Sequence, residues 1–428
     1  MSLAPPDLAA GEMDARLERD VDAPLAVAFS GGGDSLALLL AAHAWARTRG
    51  RRLLALTVDH GLQAESRAWS DWCADRAARL GLTHRILTWN GPKPRAGIAA
   101  AARSARHRLI AEAARAAGAR VILFGHTADD VLEAETMRAD GLAVASPRLW
   151  SPSPVWPEGR DLFIQRPLIG ARRQALRAWL TGLGETCIDD PANDDLRQPR
   201  ARIRALIAAV GGRVPMPAAS IDLSPLYAGA SFGPSGDVNL PLEPLAAALA
   251  PELRRFLDAA IASVAGAERI AHGPFFYRLR DQVGRGETFV STVGGAVTSC
   301  DGKSLSIVRE TNDRRSRPTP SLALRPDEVV IWDGRFAVRA RDDRLTLRPL
   351  AGCAGRLDRS CRDHLTALAP KVRRALPALV DPSGAVICPA LRPDPRVEIR
   401  NLVTARLAGA CGMVQNEAQI GGGDVQLL

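Results

Sequence analysis

Two short stretches carry residue types and spacings suited to phosphate chemistry. The first, Ser30-Gly31-Gly32-Gly33-Asp34-Ser35, follows the apolar run Leu25–Phe29. A glycine-rich turn between a strand's end and a helix N-terminus presents several backbone N–H groups and the positive end of the helix dipole. Together these bind an anion without a charged side chain. Glycine lets the backbone approach phosphate oxygens closely, and Ser30 and Ser35 add hydroxyl donors. Asp34 would repel a phosphate, so it makes sense as a ligand for a Mg²⁺ that neutralises one. The stretch has no lysine, which excludes a Walker A loop, and Leu36 stands where a dinucleotide fingerprint needs its third glycine. The second stretch is Gly125-His126-Thr127-Ala128-Asp129-Asp130, with Glu133 three residues on. Asp130 and Glu133 share one helix face. If the two loops sit at neighbouring strand ends, Asp34, Asp129, Asp130 and Glu133 converge on one crevice, the outline of a metal-dependent nucleotide site. One of the two adjacent aspartates is also placed to cap the helix that follows.

Positioning these residues requires a parallel sheet. Leu25–Phe29, Leu53–Val58, His84–Trp89 and Arg120–Phe124 read as strands. Between them, Ser35–Thr48, Glu65–Leu80 and Ile98–Ala117 read as helices, and Ala128–Met137 follows as another. Such alternation predicts βαβ units and a doubly wound parallel α/β sheet covered on both faces, with ligands at the strands' C-terminal ends. The proline-rich Ser146–Gly159 reads as a surface loop, and Arg172–Leu183 as a further helix. Gly211–Gly236 is rich in Gly, Pro and Ser, and Arg314–Pro320 reads as a linker. We therefore expect three domains: 1–212, the α/β catalytic domain; 213–318, a small and mostly helical one; and 319–428, mixed α+β. Leu242–Val264 reads as helix and Val329–Leu347 as short strands around an Asp333-Gly334 turn.

Composition narrows the class. The chain has 428 residues and a formal charge of +9, almost all of it arginine: only Lys93, Lys303 and Lys371 are lysines. Excess positive charge suits a polyanionic partner, and arginine-rich, lysine-poor usage also reflects base composition. Seven cysteines with no CxxC pair argue against a disulfide framework, a zinc ribbon or an iron–sulfur site. The acidic, polar Met1–Asp22 lacks a signal-peptide core, and no run of about 18 apolar residues exists to span a membrane. The expectation is a cytoplasmic enzyme, monomeric or homodimeric, with no membrane partner.

SGGGDS resembles the SGGxDS signature of the N-type ATP pyrophosphatases, the PP-loop (HUP-like) superfamily, which cleave ATP between its α- and β-phosphates. Within it the chain resembles the tRNA(Ile)-lysidine synthetase family. Val58-Asp59-His60-Gly61-Leu62, Ala101–His107, Gly125–Asp130 with Glu133, Arg166-Pro167-Leu168, and Asp189–Asn193 followed by Arg200 and Arg204 match that family's further motifs in order and spacing. Three departures stand out. Arg138-Ala139-Asp140-Gly141 replaces an R-G-S/T-G loop, Ala134 a threonine and Ala201 an asparagine.

The resemblance implies a two-step reaction of ATP and L-lysine with the wobble cytidine of tRNA(Ile) bearing a CAU anticodon. It implies ATP binding by Ser30, Gly31, Gly32, Gly33, Asp34, Ser35, His60, Arg103 and His126, with Asp34 as the Mg²⁺ ligand. Lysine would be held, and its proton accepted, by Asp130 and Glu133. Arg106, Arg200 and Arg204 would contact pyrophosphate or tRNA. His60 could equally be structural, and Arg103 could serve phosphate, tRNA or a solvated face. A tRNA thiolase needs paired or cluster-binding cysteines. A small-molecule amide synthetase commonly needs a glutaminase partner. A regulatory module has no need of the carboxylate cluster.

Overall fold

The computed structural model describes residues 4–420 other than 92, 143, 191–198, 211–220, 272, 312–320 and 342–343. The expected linker Arg314–Pro320, the first ten residues of the Gly211–Gly236 stretch and part of the Asp189–Asn193 motif lie outside the described residues. The chain divides into two compact units, one of Met1–Ser220 with Val414–Gly422, the other of Ile221–Met413.

The first unit opens with helix α1 (Pro5–Asp14), followed by β1 (Leu25–Ala28), α2 (Gly33–Thr48), β2 (Leu53–Asp59), α3 (Ser66–Arg79), β3 (Thr83–Thr88), α4 (Ile98–Ala116), β4 (Val121–Leu123) and α5 (Ala128–Ala139). β5 (Trp150–Pro152), β6 (Phe163–Gln165), α6 (Arg173–Gly182) and α7 (Pro199–Val210) complete it. The strands lie in the order β3-β2-β1-β4-β6-β5, all parallel except β5 at the edge. Successive strand residues serve opposite faces. Leu25, Val27, Phe29, Leu53, Ala55, Val121 and Leu123 join a core with α1, α2, α3 and α6, whereas Ala26, Leu54, Leu56, Ile122 and Phe124 pack on α4. This is the doubly wound sheet expected.

Strand order reverses between β1 and β4, so the crevice for a ligand opens at their C-terminal ends. SGGGDS ends β1 and Gly125–Asp130 ends β4. Gly125 makes the approach possible: a Cβ there would lie 2.7 Å from the Asp34 backbone oxygen.

The structure adds four elements to this unit beyond those read from sequence: α1, β5, β6 and α7. α1 forms within the acidic N-terminal stretch because Ala9, Met13 and the following Leu17 bury against the core. The loop expected over Ser146–Gly159 contains the edge strand β5, where Pro152 is tolerated because only one side of the strand is paired. The segment Val414–Ile420 also packs into this unit. Glu417 pairs with Arg51 at 2.8 Å, both side chains fully buried, and Ile420 enters the core.

The second unit begins with α8 (Ser224–Ala228), β7 (Ser231–Phe232), β8 (Val238–Pro241), α9 (Leu242–Ala247), α10 (Ala250–Ala265) and α11 (Pro274–Gly284). It continues with β9 (Phe289–Val293), β10 (Ala296–Cys300) and β11 (Ser304–Arg309). The stretch expected to be mostly helical thus also holds a five-stranded antiparallel sheet, β7-β8-β11-β10-β9. Two further small antiparallel sheets follow, and the Asp333-Gly334 turn has positive φ at both residues. The boundary expected at 318/319 does not separate two compact units. Val403, Leu407 and Cys411 share one core with Leu253–Val264 and β8–β11, and buried Arg309 pairs with buried Asp333 at 3.0 Å. No helix among the described residues is long and apolar enough to cross a membrane.

Candidate active site

A cleft of about 1300 Å³ opens at the reversal point of the first unit's sheet. The loop after β1 forms its floor. Gly31 takes φ +81°, and a Cβ there would strike Ile188, so the turn needs glycine. The Gly31 carbonyl accepts from the Ile188 N–H at 3.0 Å, which turns this residue away from the cleft wall. Ser30, Gly32, Gly33, Asp34 and Ser35 do line the cleft. Ser35 Oγ donates to the Gly32 carbonyl at 2.8 Å and accepts from the Ser30 N–H at 3.2 Å. Its hydroxyl therefore closes the loop as well as facing the cleft.

Opposite the nest lie the acids of α5. Asp130 Oδ2 accepts from the Thr127 backbone N–H at 2.8 Å and from its hydroxyl at 3.0 Å, completing a capping box at the start of the helix. Asp129 accepts from the Arg173 backbone N–H at 2.7 Å and pairs with Arg172 at 3.0 Å, tying α5 to α6. Both aspartates thus have structural work, and Asp130 keeps one oxygen toward the cleft. Glu133 is 1% exposed. Its Oε1 accepts from Arg204 Nε at 2.6 Å and Arg173 at 3.2 Å, while its Oε2 is buried with no hydrogen-bond partner.

Arg173, which sequence reasoning missed, sits at the centre of this arrangement. Its Nε donates to Asp34 at 2.9 Å, and its other nitrogens reach Asp130 at 3.5 Å and Glu133 at 3.2 Å. No local spacing signals this, because Asp34 lies 139 residues away in sequence. Burial raises the Asp34 carboxyl above the usual carboxylate range despite that arginine. Asp34 spends Oδ2 on Arg173 and keeps its other oxygen. Among the described residues no three potential ligands cluster as a metal site. A Mg²⁺ here would take the other Asp34 oxygen together with oxygens of a bound phosphate.

Arginine and histidine form the remaining wall. Arg103, Arg106 and Arg200 line the cleft. Burial, with Arg103 and Arg200 nearby, holds Arg106 down to about 10, and its Nε is buried without a partner. His60 lines the cleft with Nδ1 buried and unpartnered, and burial lowers it. His126 accepts from Arg166 Nε at 3.1 Å and stacks on Phe124, which stacks in turn on His107. Burial, then the surrounding arginines, keep both histidines neutral, His107 down to about 2. Below pH about 6.5 the unfolded chain therefore takes up a proton at His107 that the folded chain refuses. Stability is fully present above that pH and falls as pH drops, with a slope approaching about 1.4 kcal/mol per pH unit. His107→Phe should flatten the slope of urea-derived stability between pH 6 and 5 by about that amount. An unchanged slope would refute the assignment.

The PP-loop domain family matches residues 9–210. The tRNA(Ile)-lysidine synthase of Caulobacter vibrioides is 41% identical over 412 residues, covering 95% of this chain and 97% of its own length. The chain belongs to the tRNA(Ile)-lysidine synthase family. The synthase of Rhizobium meliloti (strain 1021) is 35% identical over 77% of this chain and 76% of its own. The synthase of Hyphomonas neptunium is 47% identical over 44% and 52% respectively.

The departures from the lysidine synthase pattern now have locations. Ala134 and Ala201 are both buried, on α5 and α7, which pack together. Small side chains there serve helix packing rather than polar contact. Asp140 and Gly141, the latter at φ +82°, end α5 as a left-handed cap.

Proposed function

We propose that this chain joins L-lysine to carbon 2 of the wobble cytidine of tRNA(Ile) with a CAU anticodon. ATP adenylates the cytidine, and lysidine, AMP and pyrophosphate are the products. The observation that carries this reading is one cleft in which a phosphate nest faces a carboxylate cradle and an arginine wall, in a chain similar over 95% of its length to a lysidine synthase. The chain uses ATP as a PP-loop enzyme.

In the first step the cytosine O2 attacks the α-phosphorus, and the bond to pyrophosphate breaks. Ser30, Gly32, Gly33 and Ser35 hold the phosphates, and His60, Arg103 and His126 complete the nucleotide site. Preorganised donors of this kind are usually the largest catalytic contribution. Asp34 would hold a Mg²⁺, which when bound would neutralise charge on the leaving group. Arg106 and Arg200 receive pyrophosphate or the tRNA backbone, with Arg204 shared between that wall and Glu133. In the second step the lysine ε-amine attacks carbon 2, the carbon–oxygen bond breaks, and AMP leaves. The amine arrives as ammonium, with an ordinary pKa near ~10.4. Glu133, with an unpartnered buried oxygen, is the group best placed to hold it and take its proton, with Asp130 in support. The target base must leave the anticodon stack to reach the cleft. The reaction places the enzyme in the cytoplasm, where its tRNA is.

The test is AMP release from ATP with each component omitted in turn. Release should require both cognate tRNA and lysine, and other amino acids should not replace lysine. Release that proceeds without tRNA would overturn the reading.

A further inference from the structure

One residue holds the cleft's acids together, and the reaction as described does not use it. Arg173 begins α6 and reaches Asp34 on α2 and both Asp130 and Glu133 on α5. Its backbone N–H adds Asp129. A planar fork with donors in fixed directions can meet three carboxylates at once, whereas a lysine ammonium is a single point charge on a flexible stem. Glu133 divides its two oxygens: Oε1 takes Arg173 and Arg204, and Oε2 stays buried and unpartnered. Two guanidinium groups, those of Arg173 and Arg204, serve three carboxylates here. The oxygen that no protein donor meets, the buried Glu133 Oε2, is the acceptor left for a cation.

We infer that Arg173 is the positioning residue that fixes Glu133 with one oxygen turned free, so that the cradle takes a single amine cation. This rests on the proposed lysine-dependent reaction. Without Arg173, Glu133 can swing both oxygens onto the Arg204 fork, a bidentate geometry that such pairs favour, and the amine loses its acceptor. The backbone groups of the nest, which hold phosphate, are not partners of Arg173; of that loop only Asp34 Oδ2 loses a donor. The consequence is a split: affinity for lysine falls and affinity for ATP does not.

The experiment compares steady-state kinetics of wild type, Arg173→Gln and Arg173→Lys, with thermal melting as a check on folding. Arg173→Gln should raise the lysine KM 10- to 100-fold while the ATP KM moves less than threefold. Arg173→Lys, able to meet one carboxylate at a time, should raise the lysine KM by an intermediate factor. Equal losses toward lysine and ATP, or a lowered melting temperature with both KM values unchanged, would make Arg173 a structural tie and overturn the inference. If Arg173→Gln does not fold, Arg173→Lys decides alone, and a lysine KM equal to wild type refutes it. Failure of the wild type to turn over with lysine and tRNA would instead count against the proposed reaction.

Discussion

Asp34→Ala should abolish tRNA-dependent pyrophosphate release, by at least about 100-fold, while tRNA affinity stays within about threefold of wild type. The size follows from losing the carboxylate that would hold the neutralising Mg²⁺ at the phosphates, where single electrostatic contacts are worth ~10²–10³ in rate. Asp34 stands at the second position of α2, on the cleft wall beside the nest. Its loss leaves Arg173 still paired with Asp130 and Glu133, so the cradle survives. On the proposed reading, affinity for tRNA draws instead on Arg106 and Arg200 and on the chain's overall positive charge, and it should weaken with added salt. Pyrophosphate release and filter binding, measured on the same preparation, separate the two. Turnover within threefold of wild type would show that Asp34 holds no metal.

Glu133→Gln should leave the first step running and stop the second. The amide matches the carboxylate in shape, so α5 keeps its packing, but it can neither balance an ammonium nor accept its proton. General-base contributions of ~10²–10⁴ set the scale of the loss. Quenched reactions should show pyrophosphate released near the wild-type rate, AMP release reduced by at least about 100-fold, and adenylated tRNA accumulating. Equal loss of both products would move Glu133 from lysine to the nucleotide, and no loss would assign the proton to Asp130.

The parallel sheet was legible because its strands are short apolar runs separated by helices of ordinary length. Both loops were legible for the same reason: glycine and aspartate directly after an apolar run mark a strand end. Their convergence was an inference from topology, and the β1–β4 pairing carries it out. The double duty of Asp130 was half visible, since a helix start with two aspartates invites a cap, but which one caps depends on the Thr127 hydroxyl. Arg173 was invisible. An arginine at a helix start looks like any solvated cation until α6 folds back across the sheet. α1 and β5 were missed because neither shows much apolar periodicity, and each gains its burial or pairing from residues distant in sequence. The second unit's sheet was missed in part because its strands are brief and alternate with helices.

The buried pair of Arg51 and Glu417 has a bearing on how the molecule is made. Arg51 stands just before β2, near the start of the catalytic sheet, and its counter-charge is translated after the whole second unit. A nascent chain that has already emitted every residue of the cleft still carries an uncompensated interior cation and a gap where Ile420 belongs. Removing one partner of such a pair is strongly destabilising. Ribosomes that stall before residue 417 should therefore release protease-sensitive fragments, because the first unit closes only once Glu417 and Ile420 have emerged.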